Sequence, residues 1–336
     1  MNEHKILLHD VTLRDGSHAI RHQLTKEQII TYARLADAAG VGVVEVGHGI
    51  GLGASSLQIG KSLLSDEDML RTAREHLKKA LLGIHVVPGY ATVSKDISKA
   101  MEYGVDVIRI AAQCTEADTT EQHISFVREK GRRAYGGLMM SHMISPDMLV
   151  QEALKMESYG AEGITILDSA GTFLPDDVTE RISLLRSALK VPIGFHGHNN
   201  LGMAIANSLA AVKSGAHSID GSICGFGGGA GNASIELLAA VFSMQGIDTG
   251  IDLYKLLDAA DLAEDLFKVL PKITSSSIVS GMSGVVSVFS KPVARAAEIY
   301  NVNPRDIYFE LGRRGAIAGQ EDLIIEVAQT LARKEV

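Results

Sequence analysis

The chain has 336 residues and a formal net charge of -8, and 46% of its residues are hydrophobic. This length allows a large buried core in one or two domains, and the acidic balance argues against a nucleic-acid groove. Two cysteines favour a reducing, cytoplasmic location over a disulfide framework, and no apolar run reaches the roughly 20 residues of a membrane helix.

Short apolar runs rich in Val, Ile and Leu alternate with helical segments as far as Gln245. The predicted strands are Lys5–Asp10, Val41–Val46, Leu81–Val87, Val105–Ala111, Ala134–Met140, Gly163–Leu167, Pro192–His196 and Ser218–Ile223. The predicted helices between and after them are Lys26–Ala39, Asp66–Lys79, Ser94–Tyr103, Asp118–Lys130, Pro146–Tyr159, Pro175–Leu189, Gly202–Gly215 and Ala233–Gln245. Such alternation indicates a parallel sheet covered by helices. Eight units in this length favour a (β/α)8 TIM barrel over an open doubly wound sheet.

After Asp252 the strand pattern ends, and the remaining chain is predicted to be helical. The predicted helices are Leu253–Val269, Lys291–Ile299, Pro304–Leu311 and Asp322–Lys334. A Ser/Gly-rich segment, "SSSIVSGMSGVVS", is predicted to separate the first two of them. We therefore predict a barrel domain at residues 1–250 and a C-terminal helical domain at residues 251–336.

Two polar clusters lie far apart in the sequence but at equivalent places in the predicted barrel. "TLRDGSH" at residues 12–18 follows the first strand, and "FHGHNN" at residues 195–200 ends the seventh. Active sites of TIM barrels lie at the carboxyl ends of the strands. Both clusters should therefore face the same barrel mouth.

His196 and His198 are candidate metal ligands, because side chains two residues apart on a strand share one face. Without a third ligand, a pair of hydrogen-bonded structural histidines is an equally good interpretation. Asp15 supplies a plausible third ligand. Two imidazoles and one carboxylate suit Mn²⁺, Fe²⁺, Co²⁺ or Zn²⁺ and leave positions for a substrate. Asn199 and Asn200 are candidates for orienting these ligands.

Arg14 and His18 flank Asp15 and are candidate catalytic residues. An arginine beside a divalent ion stabilises a developing oxyanion; the alternative is a surface salt bridge. A histidine is the side chain whose ordinary pKa suits proton transfer near neutrality. At the end of the second strand, Glu45 is placed to orient Arg14 across the barrel mouth, and His48 lies near it.

Asp168 and Ser169 end the sixth strand, where they either bind a substrate carboxylate or a ligand histidine, or cap the next helix. The glycine-rich stretch "GFGGGAGNA" at 225–233 contains a formal dinucleotide fingerprint. No further strand carrying an acidic residue follows it, so the match is discounted. A tight turn that brings backbone amides close to the site is the preferred interpretation.

These motifs resemble those of the pyruvate-dependent metalloaldolases that cleave 4-hydroxy-2-oxovalerate. "DVTLRDGSHA", "HGHNNLG" and "GAGNA" carry the resemblance, and "LRDGSHAIRHQ" is its most specific element. The larger barrel superfamily includes 3-hydroxy-3-methylglutaryl-CoA lyase and the isopropylmalate and homocitrate synthases. The resemblance covers nearly the whole chain.

The resemblance implies a lyase that makes or breaks a 4-hydroxy-2-oxo acid, with pyruvate and an aldehyde as the other reactants. It implies Mn²⁺, or Co²⁺, Mg²⁺ or Zn²⁺ instead, on Asp15, His196 and His198. Arg14 would stabilise the enolate oxygen and His18 would transfer the proton of the 4-hydroxyl. Ser169, together with Arg14 and His196, would bind the substrate. It further implies oligomers, either of this chain alone or with an acylating acetaldehyde dehydrogenase.

The chain departs from the family in the half of the site that would receive the aldehyde. Val286 stands where the family has a tyrosine, and His85 interrupts an aliphatic run expected to line that end. The alternation of a short strand does not decide whether His85 faces the barrel interior or the helices. Two other functions compete with the aldolase: an acyl-CoA condensing enzyme of the same superfamily, and a non-catalytic binding partner.

Overall fold

The computed structural model describes residues 5–334 and has a closed barrel of eight parallel strands. The strands are β1 (Leu7–Asp10), β2 (Val43–Glu45), β3 (Leu81–Val86), β4 (Val107–Gln113), β5 (Arg133–Met139), β6 (Ile164–Asp168), β7 (Ile193–Gly197) and β8 (Ser218–Gly221). Each strand pairs with the next in the sequence, and β8 closes the barrel on β1. The predicted TIM barrel is confirmed, with every strand within two residues of its predicted bounds.

Helices surround the barrel, one after each strand. They are α1 (Lys26–Ala39), α2 (Asp66–His76), α3 (Ser98–Glu102), α4 (Glu121–Glu129), α5 (Pro146–Ser158), α6 (Pro175–Ala188), α7 (Ala204–Lys213) and α8 (Ile235–Met244). Helix α1 illustrates why the ends of these helices can be predicted from the sequence. Thr25 and Gln28 form a capping box at its start, and Gly40 ends it with a φ of +83°, a conformation that costs glycine little.

Five further helices follow the barrel. They are α9 (Leu253–Phe267), α10 (Ser275–Ser283), α11 (Ser290–Tyr300), α12 (Pro304–Arg313) and α13 (Asp322–Lys334). Helix α10 corrects the sequence analysis, which placed no helix in the Ser/Gly-rich segment. Ser and Gly are weak helix formers, but Thr274 and Ser277 form a capping box. Gly281 also allows close packing, since a Cβ there would lie 2.9 Å from the Leu201 side chain.

Two hydrophobic cores divide the described residues. The first fills the space between the strands and helices α1–α9, and includes Leu256 and Phe267 of α9. The second lies among α10–α13, around Phe289 and Leu311. Because α9 packs against α1, we propose that the domain boundary lies nearer residue 268 than the predicted residue 250. Within residues 5–334, no helix is long and apolar enough to cross a membrane.

Candidate active site

The barrel brings the two polar clusters of the sequence to one mouth, as predicted. Asp15 begins a short helical turn that ends at His18 and follows β1. His196 lies on β7, and His198 follows that strand. Their candidate ligand atoms all lie within 4.8 Å of one another. Asp15, His196 and His198 thus form a cluster able to hold a metal ion.

The protonation states of Asp15 and His198 suit a cation. Burial opposes ionisation of Asp15, but the charge of Arg14 outweighs it and holds the pKa of that carboxyl below its ordinary value. Burial lowers the pKa of His198 to about 4, although Asp15 acts in the opposite direction. An ionised carboxylate and a neutral imidazole are the forms that bind metals.

Hydrogen bonds orient the ligands. The Asp220 Oδ2 atom lies 3.0 Å from His196 Nδ1, so a proton on Nδ1 leaves Nε2 free to bind a cation. Asn232 Nδ2 donates to Asp15 Oδ2 at 2.8 Å. The turn at Gly227 makes this contact possible, because a Cβ there would lie 2.6 Å from Asn232 Nδ2 and 2.9 Å from Asp15 Oδ2. The glycine-rich stretch therefore brings backbone close to the site, as expected.

Arg14 is held in a fixed plane beside the cluster. Its Nε donates to Glu45 Oε1 at 2.6 Å, and its Nη1 donates to Asp15 Oδ1 at 2.9 Å and to the Gly49 carbonyl at 3.1 Å. The residue is 4% exposed, so the alternative of a surface salt bridge is wrong. Its Nη2 is buried and has no hydrogen-bond partner among the described residues. This atom is therefore available to an oxygen atom of a ligand.

His18 packs closely against Gly49. A Cβ on Gly49 would lie 2.5 Å from the His18 ring, so only glycine permits this approach. Burial lowers the pKa of His18, which keeps its imidazole neutral near pH 7 and able to accept a proton. His22 and His48 stack with ring centroids 3.6 Å apart, and the His22 ring lies 5.0 Å from that of His18.

Asp168 and Ser169 differ in their contacts. The Asp168 carboxylate accepts hydrogen bonds from the amides of Thr172 and Phe173, so it organises the loop that leads into α6. Ser169 Oγ accepts a bond of 3.0 Å from the Met140 amide. Among residues 5–334 its hydroxyl donates no hydrogen bond, so its proton is available for a ligand.

Asn199 and Asn200 do not orient the ligands, and that interpretation is wrong. The Asn199 side chain accepts a hydrogen bond from the Ala204 amide at the start of α7. Asn200 Nδ2 donates to the Ser277 carbonyl and to the hydroxyls of Ser280 and Ser287. Asn200 therefore ties the loop after β7 to α10 and the turn that follows it.

His85 faces the barrel interior. It is in register with Arg109 of β4, and neighbouring residues in register point to the same face of a sheet. Its Nδ1 lies 4.0 Å from Glu45 Oε1 and has no hydrogen-bond partner among the described residues. Val286 is partly buried and packs against the barrel core.

Sequence reasoning missed three supporting residues: Arg109, Asp220 and Asn232. Arg109 and Asp220 lie in "VIRIAA" and "SIDG", whose composition predicts only apolar strands. A lone charge inside such a run is a usable signal, since buried charges are rarely kept without partners. Asn232 lies in the "GAGNA" turn, where only the fold shows its contact with Asp15.

Comparisons with known proteins agree with this architecture. A family model described as HMGL-like matches residues 5–263, and one described as a DmpG-like communication domain matches residues 271–333. The carboxyl transferase domain of Rhizobium etli pyruvate carboxylase has a similar fold, with a TM-score of 0.82 and 17% identity. That match covers 99% of this chain and 61% of the other, and it speaks for the fold alone.

Curated relatives are far more similar in sequence. A 4-hydroxy-2-oxovalerate aldolase of Pectobacterium atrosepticum is 61% identical over 331 residues, which is 98% of this chain and 96% of that protein. A protein of the same name from Spirochaeta aurantia is 58% identical and covers 98% and 97%. Both names describe carbon–carbon lyases and neither describes an acyl-CoA condensing enzyme. The chain therefore belongs to the 4-hydroxy-2-oxovalerate aldolase family, whose barrel is of the HMGL-like type.

Proposed function

We propose that this protein is a metal-dependent aldolase that cleaves or forms 4-hydroxy-2-oxo acids, such as 4-hydroxy-2-oxovalerate, with pyruvate and an aldehyde as the other reactants. One observation carries the proposal. The buried, unpaired Nη2 of Arg14 lies on a side chain fixed beside Asp15, His196 and His198. A retro-aldol reaction requires stabilisation of negative charge on the oxygen at C2. This arrangement offers that stabilisation.

Asp15, His196 and His198 would hold the metal ion, for which we propose Mn²⁺. The fit rests on their donor set, one carboxylate and two imidazoles, and on the unpaired donor of Arg14 beside it. A bound divalent ion supplies Lewis-acid polarisation of the 2-oxo group. Co²⁺, Mg²⁺ and Zn²⁺ are the alternatives that the same ligands accept.

Arg14, His18 and Ser169 would perform the remaining steps. Arg14 Nη2 would donate to the oxygen that gains charge as the C3–C4 bond breaks. Neutral His18 would accept the proton of the C4 hydroxyl, which becomes the aldehyde carbonyl. The hydroxyl of Ser169 would donate to the substrate carboxylate. Each role uses a donor or acceptor that the protein's own contacts leave open.

His85 is proposed to influence the choice of aldehyde. A cavity of about 350 Å³ lies at the ends of β3, β4 and β5, lined in part by Val87, Gln113 and Met139 but not by His85 itself. His85 lies on β3, two residues before Val87, and burial lowers its pKa to about 3. A neutral imidazole with a free nitrogen can hydrogen-bond a polar group on the aldehyde.

The experiment that tests the function measures condensation of pyruvate with a series of aldehydes, with and without added Mn²⁺. We expect metal-dependent product, and a better kcat/KM for bulkier or more polar aldehydes than for acetaldehyde. In His85→Leu this preference should shrink about 10- to 200-fold, the range that about 1–3 kcal/mol of pocket contact provides.

The proposed function and the role of His85 are contradicted by different results of this experiment. Absence of product with every aldehyde, at any metal concentration, would contradict the proposed function. An unchanged ranking in His85→Leu, with acetaldehyde as the best acceptor, would contradict only the role of His85. His123→Leu is the matched control, because His123 is a buried histidine that bonds the Ala91 carbonyl.

We also propose that helices α10–α13 bind an acylating acetaldehyde dehydrogenase. The match to a communication domain supports this. Ile299 and Ile325 are apolar residues of this domain that are 60% and 41% exposed.

In a pull-down with such a dehydrogenase, Ile299→Glu/Ile325→Glu should bind more than about tenfold more weakly, since an interface anchor is worth about 2 kcal/mol. Leu57→Glu is the control, at an exposed site on the barrel. Equal binding by the double variant and the native protein would place the contact elsewhere.

A further inference from the structure

A chain of alternating charges crosses the barrel interior and joins two of the candidate metal ligands. It starts at Asp15, which Arg14 bonds at 2.9 Å, and Arg14 in turn bonds Glu45 at 2.6 Å. Arg109 continues it, with Nε 3.7 Å from Glu45 Oε2 and two hydrogen bonds to the Asp220 carboxylate.

The chain ends at a second candidate ligand. Asp220 Oδ2 lies 3.0 Å from His196 Nδ1. His9 reinforces the middle of the chain, because its Nδ1 accepts from Arg109 at 2.7 Å and its Nε2 lies 3.2 Å from Glu45 Oε2. Among these charged residues, Arg109 is therefore the one that contacts both Glu45, the partner of Arg14, and Asp220, the partner of His196.

Every side chain in this series of alternating charges is buried. None of its members is more than 5% exposed: Asp15, Arg14, Glu45, Arg109, Asp220 and His196. Buried ion pairs are weak contributors to stability compared with apolar packing. A long ionic chain in a barrel core therefore calls for a reason other than stability.

The contacts themselves supply one reason. Glu45 lies between Arg14 and Arg109 and interacts with both guanidinium groups. Asp220 lies between Arg109 and His196 and contacts both side chains. These charged side chains therefore restrict the positions of Arg14 and His196.

We propose that Arg109 is a positioning residue that couples the orientation of Arg14 to metal binding by His196. The inference rests on the proposed function. Its guanidinium attracts Glu45 at ion-pair distance, and Glu45 sets the plane of Arg14. The same guanidinium hydrogen-bonds Asp220, which sets the tautomer of His196. Lysine cannot replace it, because one ammonium group lacks the planar fork that serves both carboxylates.

Two measurements distinguish the effect of Arg109 on His196, through Asp220, from its effect on Arg14, through Glu45. Co²⁺ binding by the metal-free protein, followed by visible absorption, reports on His196. Exchange of the pyruvate methyl hydrogens with deuterium at saturating Co²⁺, followed by NMR, reports on Arg14, because this exchange passes through the enolate.

Each variant should have its own pattern. Asp220→Asn should weaken Co²⁺ binding about 10- to 100-fold, as expected for the partner of a ligand, and change exchange little at saturation. Glu45→Gln should do the reverse, slowing exchange about 10-fold or more, with Co²⁺ affinity nearly unchanged. Arg109→Lys should show both defects.

Controls distinguish positioning from general damage. Tyr32→Phe removes a 2.5 Å hydrogen bond to the buried Asp10 carboxylate outside the chain, and should bind Co²⁺ and exchange pyruvate normally. If Arg109→Lys does not fold, the double variant Glu45→Gln/Asp220→Asn replaces it. Arg109 keeps one carboxylate partner in each single variant and neither in the double variant. Coupling through Arg109 therefore predicts that the defects of the double variant exceed the product of the single defects.

The outcomes decide between three conclusions. Native Co²⁺ affinity and exchange in Arg109→Lys, or purely multiplicative effects in the double variant, would contradict the proposal. Weaker Co²⁺ binding with native exchange at saturation would limit Arg109 to supporting His196 and would also contradict the coupling. Failure of the native protein to bind Co²⁺ or exchange pyruvate would instead contradict the proposed function.

Discussion

Replacing His198 with alanine should leave a folded protein that no longer retains a divalent ion and no longer releases pyruvate above the background rate. The substitution leaves only Asp15 and His196 in the cluster, which is too few to hold a labile ion against water. Loss of a partner behind a ligand costs about 10- to 100-fold in affinity, so loss of the ligand itself should exceed that range. Metal content after dialysis and the rate of pyruvate release are the measurements.

The matched control is His123→Ala, which removes another buried histidine. His123 is 8% exposed and its Nε2 contacts the Ala91 carbonyl at 3.2 Å, away from the cluster. This variant should keep its metal and its activity. Full metal content and activity in His198→Ala would show that the assigned ligands are wrong.

The barrel could be predicted because its signals are local. Each strand is a short apolar run, and helices such as α1 have readable ends, where Thr25 begins it and Gly40 stops it. Strand order then follows from the rule that parallel strands joined by single helices lie side by side. The position of "TLRDGSH" and "FHGHNN" at strand ends was enough to place Asp15 and His196 at one mouth.

Which residues contact Asp15 and His196 could not be predicted, because these pairings depend on distances across the barrel. Asp220 supports His196 from the neighbouring strand β8, and Asn232 contacts Asp15 from 217 positions along the chain. Asn199 and Asn200 were the nearer candidates in sequence, yet the turn after β7 directs Asn200 toward α10. Sequence proximity to a ligand is therefore a poor guide to which residues support it.

Helix α10 shows a second limit. Its composition of serine and glycine predicts an irregular segment, since helix propensity sums over local residues. The helix instead depends on its cap at Thr274 and on packing against the barrel, where Gly281 approaches Leu201. Tertiary contacts of this kind override propensity and leave no local signal.

Replacing Arg14 with lysine should lower kcat about 10²- to 10³-fold, the usual cost of losing a preorganised donor to an oxyanion, with a much smaller change in KM. Arg14 uses Nε for Glu45 and Nη1 for Asp15, and keeps Nη2 free. A lysine has one ammonium group, which cannot hold both carboxylates and still donate in a fixed direction. Steady-state pyruvate release with saturating Mn²⁺ measures both constants.

Arg71→Lys is the matched control, since Arg71 forms an exposed ion pair with Glu67 on α2, and its kinetics should equal those of the native protein. Which of the two constants changes in Arg14→Lys, kcat or KM, identifies the role of Arg14. An interaction made only as charge develops on the oxygen affects kcat, whereas one made equally with bound substrate affects KM. A rise in KM with native kcat would therefore contradict a role specific to the enolate, because Nη2 would then bind the ground state and the transition state equally.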